Sequence, residues 1–224
     1  YGIGARFGNL VALLANGVYT AYTSYAFGKK NDQDAKKQYA RILNAFVYAG
    51  LFFCTILTVF SSWIIKLMTT TDYSEAALLL APLVFSQLYN GVNTLVGYGI
   101  GFAKKTYYFL IATSTGAVVN VIANLIFIPR YGALAAAYTT LASVIIMTLI
   151  TYLVSQRLYP VSYDVGKVFF LPAAVYVMEM LLEKENGILG FAVMVIGITV
   201  CYKDSFWDYF HAGKGLLTSL RKKL

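Results

Sequence analysis

The sequence predicts an all-α, polytopic membrane protein of about seven transmembrane helices packed as a bundle. Composition comes first: of 224 residues 59% are hydrophobic and only 12% are charged, against roughly 45–50% and about 25% in soluble domains. Length of the apolar runs comes second. The stretches 7–28, 42–65, 76–103, 107–128 and 133–156 contain no Asp, Glu, Lys, Arg or His. Each is longer than the ~20 residues that a helix rising 1.5 Å per residue needs to cross about 30 Å of hydrocarbon. The third observation is where the cations fall. Lys29, Lys30, Lys36, Lys37 and Arg41 lie between the first two runs, Lys104 and Lys105 after the third, and Arg157 and Lys167 after the fifth. Lys203, Lys214, Arg221, Lys222 and Lys223 lie at the end, while the alternate loops receive only Arg6, Lys66, Arg130 and Lys184. By the positive-inside rule the N-terminus faces outward and the C-terminus the cytoplasm, which an odd number of spans also requires. The net charge of +8 is therefore expected from topology and not from a nucleic-acid partner.

Taken in order, residues 1–160 hold the five strong spans of the bundle. The next region, 161–202, holds two weaker spans, 168–182 and 188–202, each about 15 residues long; Lys167 can snorkel and Asn186-Gly187 can close a hairpin of tilted helices. In 203–224, Phe206, Trp207, Tyr209 and Phe210 precede Leu216, Leu217 and a basic end, the pattern of a cytoplasmic amphipathic tail. The chain starts at Tyr1 without a basic leader and enters a span almost at once, so it is expected to be the C-terminal part of a longer protein. Cys54 and Cys201, far apart and without CxxC or His spacing, read as small buried hydrophobes.

Polar residues within the spans fall on helical stripes. Arg6, Asn9, Asn16, Thr20 and Thr23 share one face of the first span; Ser86, Asn90, Asn93, Thr94, Gly97 and Gly101 share an arc of the third. The fourth carries Thr113, Gly116, Asn120 and Asn124, and the fifth Ala136, Thr140, Ser143 and Thr151. Such faces serve either close helix packing, with interhelical hydrogen bonds, or the lining of a water-filled cavity. Asparagine is costlier than Ser or Thr to bury, so Asn90, Asn93, Asn120 and Asn124 are the stronger cavity candidates. Arg6, Asn9 and Asn16 join them, because Arg6 is the one cation that continues a polar stripe into a span. Glu179 is the only carboxylate inside a span, either a proton site or a group reaching the interface. The sequence holds no HExxH, GxSxG or Walker motif, so no catalysis, metal or cofactor is expected. Gly97-Tyr98-Gly99-Ile100-Gly101 lacks the strand of a nucleotide fingerprint and reads as close helix packing.

Residues 116–140, GAVVNVIANLIFIPRYGALAAAYTT, resemble a pattern of bacterial polysaccharide (O-antigen type) flippases in the multidrug/oligosaccharidyl-lipid/polysaccharide exporter superfamily. Gly116, Asn120, Asn124, Ile128, Pro129, Tyr131, Gly132, Ala136, Ala137 and Thr139 fill it, with Ala135 where the family usually has Gly. The likeness extends over most of 1–160 and fades beyond 165. It implies a two-bundle transporter of which this chain forms most of one, the second, bundle, with alternating access by rocking of the bundles in the bacterial inner (plasma) membrane and the first span here matching the eighth of fourteen helices. The implied cargo is an undecaprenyl-pyrophosphate-linked oligosaccharide, moved between leaflets for surface polysaccharide synthesis, with polysaccharide polymerase machinery as a further implied partner. The alternatives are a drug or lipid-precursor exporter of the same superfamily, a membrane-embedded glycosyltransferase, for which no loop is long enough, and a non-transporting fragment.

Overall fold

The computed structural model describes residues 2–28, 34–61, 63, 74–182 and 187–202; the 203–224 tail and the loop around Thr71 lie outside the described residues. Among the described residues every regular element is helical. They are α1 (Gly2–Gly28), α2 (Ala35–Val59), α3 (Ser74–Val96), the short α4 (Tyr98–Phe102), α5 (Tyr107–Leu158), a π turn (Gly166–Phe170), α6 (Leu171–Leu182) and α7 (Gly187–Cys201). The architecture agrees with the seven expected spans, because α5 is two helices joined at a kink. Two helices, Ala35–Val59 and Tyr107–Leu158, are by themselves long and apolar enough to cross a bilayer.

The kink has a local cause. Pro129 has no N–H to continue the ladder, and Gly132 adopts φ 60°, ψ −140°, a conformation that a Cβ would strain. The two halves of α5 thus fold back as a hairpin. Gly116 sits in it so closely that an added Cβ would lie 3.1 Å from Met147 Cβ and 3.3 Å from the Ser143 carbonyl oxygen. The outer half, before the kink, leaves Leu110 and Leu125 about 70% exposed, the surface expected of a helix facing lipid tails.

α3 is the centre of the bundle, in contact with α1, α2, α5 and α6. Between Leu79 and Tyr89 every residue except Gln87 is buried. α2 presents Leu43, Phe46, Val47, Leu51 and Cys54 to the core at three- and four-residue spacing. The third run was expected to be a single span, yet it breaks at Gly97 into α3 and α4. Packing beyond the break is close: a Cβ on Gly99 would lie 2.8 Å from the Ser155 carbonyl oxygen, so α4 presses against the end of α5 as the glycine run predicts.

Residues 161–202 join this same core, with Val168, Val175, Met194 and Ile198 buried in it. Pro172 ends the π turn. In a five-residue hydrogen-bond register the Lys167 carbonyl would need a donor at position 172, where proline has none. Tyr202 Oη donates to that carbonyl instead, at 2.9 Å. Tyr89 Oη of α3 donates to the Phe169 carbonyl, also at 2.9 Å, so one phenol ties the two ends of the hairpin together and the other pins it to the bundle. Cys54 is buried as expected, whereas Cys201, at the end of α7, is exposed.

Aromatic rings tie the basic segments to one end. Phe102 lies 5.0 Å from Phe27, 5.5 Å from Tyr39 and 5.1 Å from Tyr159, ring centre to ring centre. The end of α1, the start of α2, α4 and the end of α5 therefore meet, and Lys36, Arg41, Lys104, Lys105 and Arg157 collect there.

Candidate functional site

The polar stripes meet two different fates. Contacts between α1 and the consecutive helices α3 and α4 rise together along the sequence: Ala15 approaches Gly91 of α3, while Tyr19 stacks on Tyr98 at 6.2 Å and Phe27 packs on Phe102, both of α4. The two helices are parallel. For parallel helices that touch at Ala15 and Gly91, the residue after the first and the residue before the second rotate to the same side. Those residues are Asn16 and Asn90, and both are exposed. Asn9, two turns before Asn16, is also exposed and on that side; Thr20 is exposed, and Thr94, whose hydroxyl donates to the Asn90 carbonyl at 3.1 Å, is half-buried. Arg6 lies one turn before Asn9 on the α1 backbone, and its side chain lies outside the described residues. Asn93 turns from the polar side toward the interior. It is half-buried, with its Oδ1 accepting no hydrogen bond among the described residues.

In the α5 hairpin the asparagines are consumed by packing. Asn124 Nδ2 donates to Asn120 Oδ1 at 2.9 Å, Asn120 Nδ2 donates to Ser143 Oγ at 3.3 Å, and Thr139 Oγ1 donates to Asn124 Oδ1. Ser143 donates in turn to the Thr140 carbonyl at 2.9 Å. Thr139, Asn124, Asn120 and Ser143 thus form one ladder across the two halves, which satisfies amides that lipid would leave unpaired.

Glu179 is 3% exposed, so it lies inside the bundle and does not reach outward. It sits within electrostatic reach of Cys54 on α2. Thr58, one turn beyond Cys54 on that helix, is buried as well. The sequence leaves two readings for Glu179, a proton site or a group reaching the interface; its burial removes the second, because the tyrosine-pinned hairpin turns this face toward α2. No cluster of three or more metal-ligating side chains occurs among the described residues.

An amide-and-hydroxyl face, set on one side of two parallel helices, can bind hydroxyl-rich or phosphorylated groups by hydrogen bonding. The sequence pattern of the family described as MatE matches residues 1–126, more than half of the chain. No curated protein matches, and no solved structure matches.

Proposed function

The chain belongs to the MatE family of membrane transporters, within the multidrug/oligosaccharidyl-lipid/polysaccharide exporter superfamily, and on that premise we propose that it translocates lipid-linked oligosaccharide across the bacterial inner membrane for surface polysaccharide synthesis. The observation that carries this reading is the exposed α1/α3 face. Asn9, Asn16 and Asn90 present amide groups on one side, where lipid contact would leave them without partners at a cost of several kcal/mol each by order of magnitude. A water-filled cavity shared with a second helical bundle removes that cost. Alternating access then exposes the face to one leaflet and then the other.

Residue chemistry favours sugar over cationic drug. The α1 sequence has no acidic residue, and α3 has only Glu75, in its first turn. Amides pair with sugar hydroxyls, and Arg6 at the head of the stripe pairs with pyrophosphate. Asn93 borders the same cavity, while Asn120 and Asn124 hold the hairpin beside it. Glu179, buried against α2, is in this reading the group that carries a proton during the cycle. The C-terminus faces the cytoplasm, and the undecaprenyl-pyrophosphate-linked repeat unit enters from that side.

Expression in a strain lacking its oligosaccharide flippase tests the assignment. The gene product containing this chain restores surface polysaccharide, and Asn16→Leu and Arg6→Ala lower the yield at unchanged protein abundance. Loss of drug tolerance in the variants without loss of polysaccharide would assign the face to drug export instead.

A further inference from the structure

The geometry points to an anionic phospholipid held on the α5 hairpin, its acyl chain in the apolar groove between the two halves and its phosphate at Arg130. This site lies at the turn of the hairpin, the end of α5 opposite the basic segments, and the argument for it holds whatever the cargo is. A cavity of about 390 Å³ opens between the halves. Ala123, Ala135 and Ala142 line it with nothing beyond a Cβ, while Phe127, Tyr131 and Tyr138 supply rings. The lining runs from Tyr131 back to Ala123 on one half and from Leu134 on to Ala142 on the other. At 1.5 Å per residue the groove therefore reaches about 12 Å down from the turn. That is most of the ~15 Å that one leaflet contributes to a hydrocarbon core of about 30 Å.

Below the turn the groove is apolar because its hydroxyls are engaged elsewhere. Tyr138 Oη donates to Met180 Sδ of α6 at 3.7 Å, and Thr139 Oγ1 donates to Asn124 Oδ1 in the ladder. A polar ligand buried there would lose its water partners without replacement, whereas a hydrocarbon chain has none to lose. The mouth differs. Arg130 is two turns beyond Ala123 and within about 20° of it around the helix axis, so it stands above the groove wall. It is exposed, and among the described residues its guanidinium forms no ion pair. Tyr131, exposed beside it, carries the amphipathic ring that suits the headgroup level of a bilayer. A planar guanidinium pairs with a phosphate through two parallel N–H···O contacts. One cation above an apolar groove of leaflet depth complements a lipid with an anionic head; in a zwitterionic lipid the headgroup's own cation offsets the attraction.

The test uses the full chain in micelles doped equally with phosphatidylglycerol and phosphatidylcholine, with retained lipid read by native mass spectrometry. Wild type is expected to retain phosphatidylglycerol about tenfold over phosphatidylcholine, the selectivity that one charge-assisted contact supplies. Arg130→Gln keeps bound lipid but loses the preference, and Arg130→Lys keeps most of it; both changes are at an exposed position and leave the fold intact. Ala123→Phe/Ala142→Phe fills the groove and lowers retention of either lipid about tenfold. Leu125→Phe, exposed on the opposite side of the same half, behaves as wild type. A preference that survives Arg130→Gln, an equal loss in Leu125→Phe, or no preference in wild type overturns the proposal. So does displacement of phosphatidylglycerol by a polyprenyl phosphate at equal concentration, which would put a prenyl chain in the groove. A change from two chains per micelle to one in the groove-filling variant, with no lipid retained by wild type, would assign the groove to a second copy and overturn it as well.

Discussion

The α1/α3 face and the α5 hairpin carry the same residue type at nearly the same helical spacing, and they use it in opposite ways. Asn120 and Asn124 are one turn apart and close a ladder with Ser143 and Thr139. Asn9 and Asn16 are two turns apart and, with Asn90, stay exposed on one side of a helix pair. The contrast shows that an asparagine stripe in a membrane helix specifies only that a polar partner is needed. Whether that partner is a neighbouring helix or a water-filled cavity is decided by what the next helix presents at the same level. α5 doubles back on itself with Ser143 and Thr139 facing inward, whereas α1 meets α3 through Ala15 and Gly91 and leaves its amides outside the contact.

Four experiments sharpen or break this contrast, beginning with the largest effect. Gly132→Val places a β-branched residue at φ 60°, which costs on the order of 1–3 kcal/mol or more and misaligns the ladder. Protein abundance in membranes should fall severalfold; abundance equal to wild type would mean that the hairpin does not depend on this turn. Asn124→Leu removes one partner each from Asn120 and Thr139 and should lower stability by about 1–3 kcal/mol, measured by thermal unfolding in detergent. A smaller effect belongs to the pair Asn120–Ser143, whose hydrogen bond at 3.3 Å should give a coupling of about 0.6 kcal/mol in a double-mutant cycle. Asn16→Leu should change stability by less than about 0.5 kcal/mol, since its side chain is exposed, while export falls. If Asn16→Leu destabilises as strongly as Asn124→Leu, the two regions are alike and the contrast is lost.

Much of this fold is legible in the sequence because charge-free length is a direct consequence of bilayer thickness. The described parts of the five long runs are almost wholly helical, and Pro129 with Gly132 marks the turn between two of them. Boundaries are less legible. α2 begins at Ala35, seven residues before its charge-free run, because Lys36, Lys37 and Arg41 occupy helical turns beyond the apolar part. The break at Gly97 leaves no trace in hydropathy, since Tyr98–Phe102 is as apolar as what precedes it. The π turn at Gly166–Phe170 depends on a phenol supplied by Tyr202, more than thirty residues later, a pairing that no local window contains. Among the candidate site residues, the stripes are readable and their partners are not. Glu179 is the clearest case: its position near a helix end leaves open a reach to the interface, and the docking of α6 on α2 buries it.

The central claim is that water reaches the α1/α3 face within the membrane. Single cysteines placed at Asn16, Asn90 and Leu125, in a Cys201→Ser background that removes the exposed native thiol, measure this directly through reaction with a small membrane-impermeant thiosulfonate in native vesicles. Asn16 and Leu125 are both exposed in the fold, so protein contacts alone predict equal reactivity. A water-filled cavity over α1 and α3, with lipid over the outer half of α5, predicts rapid modification at 16 and 90 and little at 125. Equal reactivity at all three positions, or none at 16 and 90, would contradict the account.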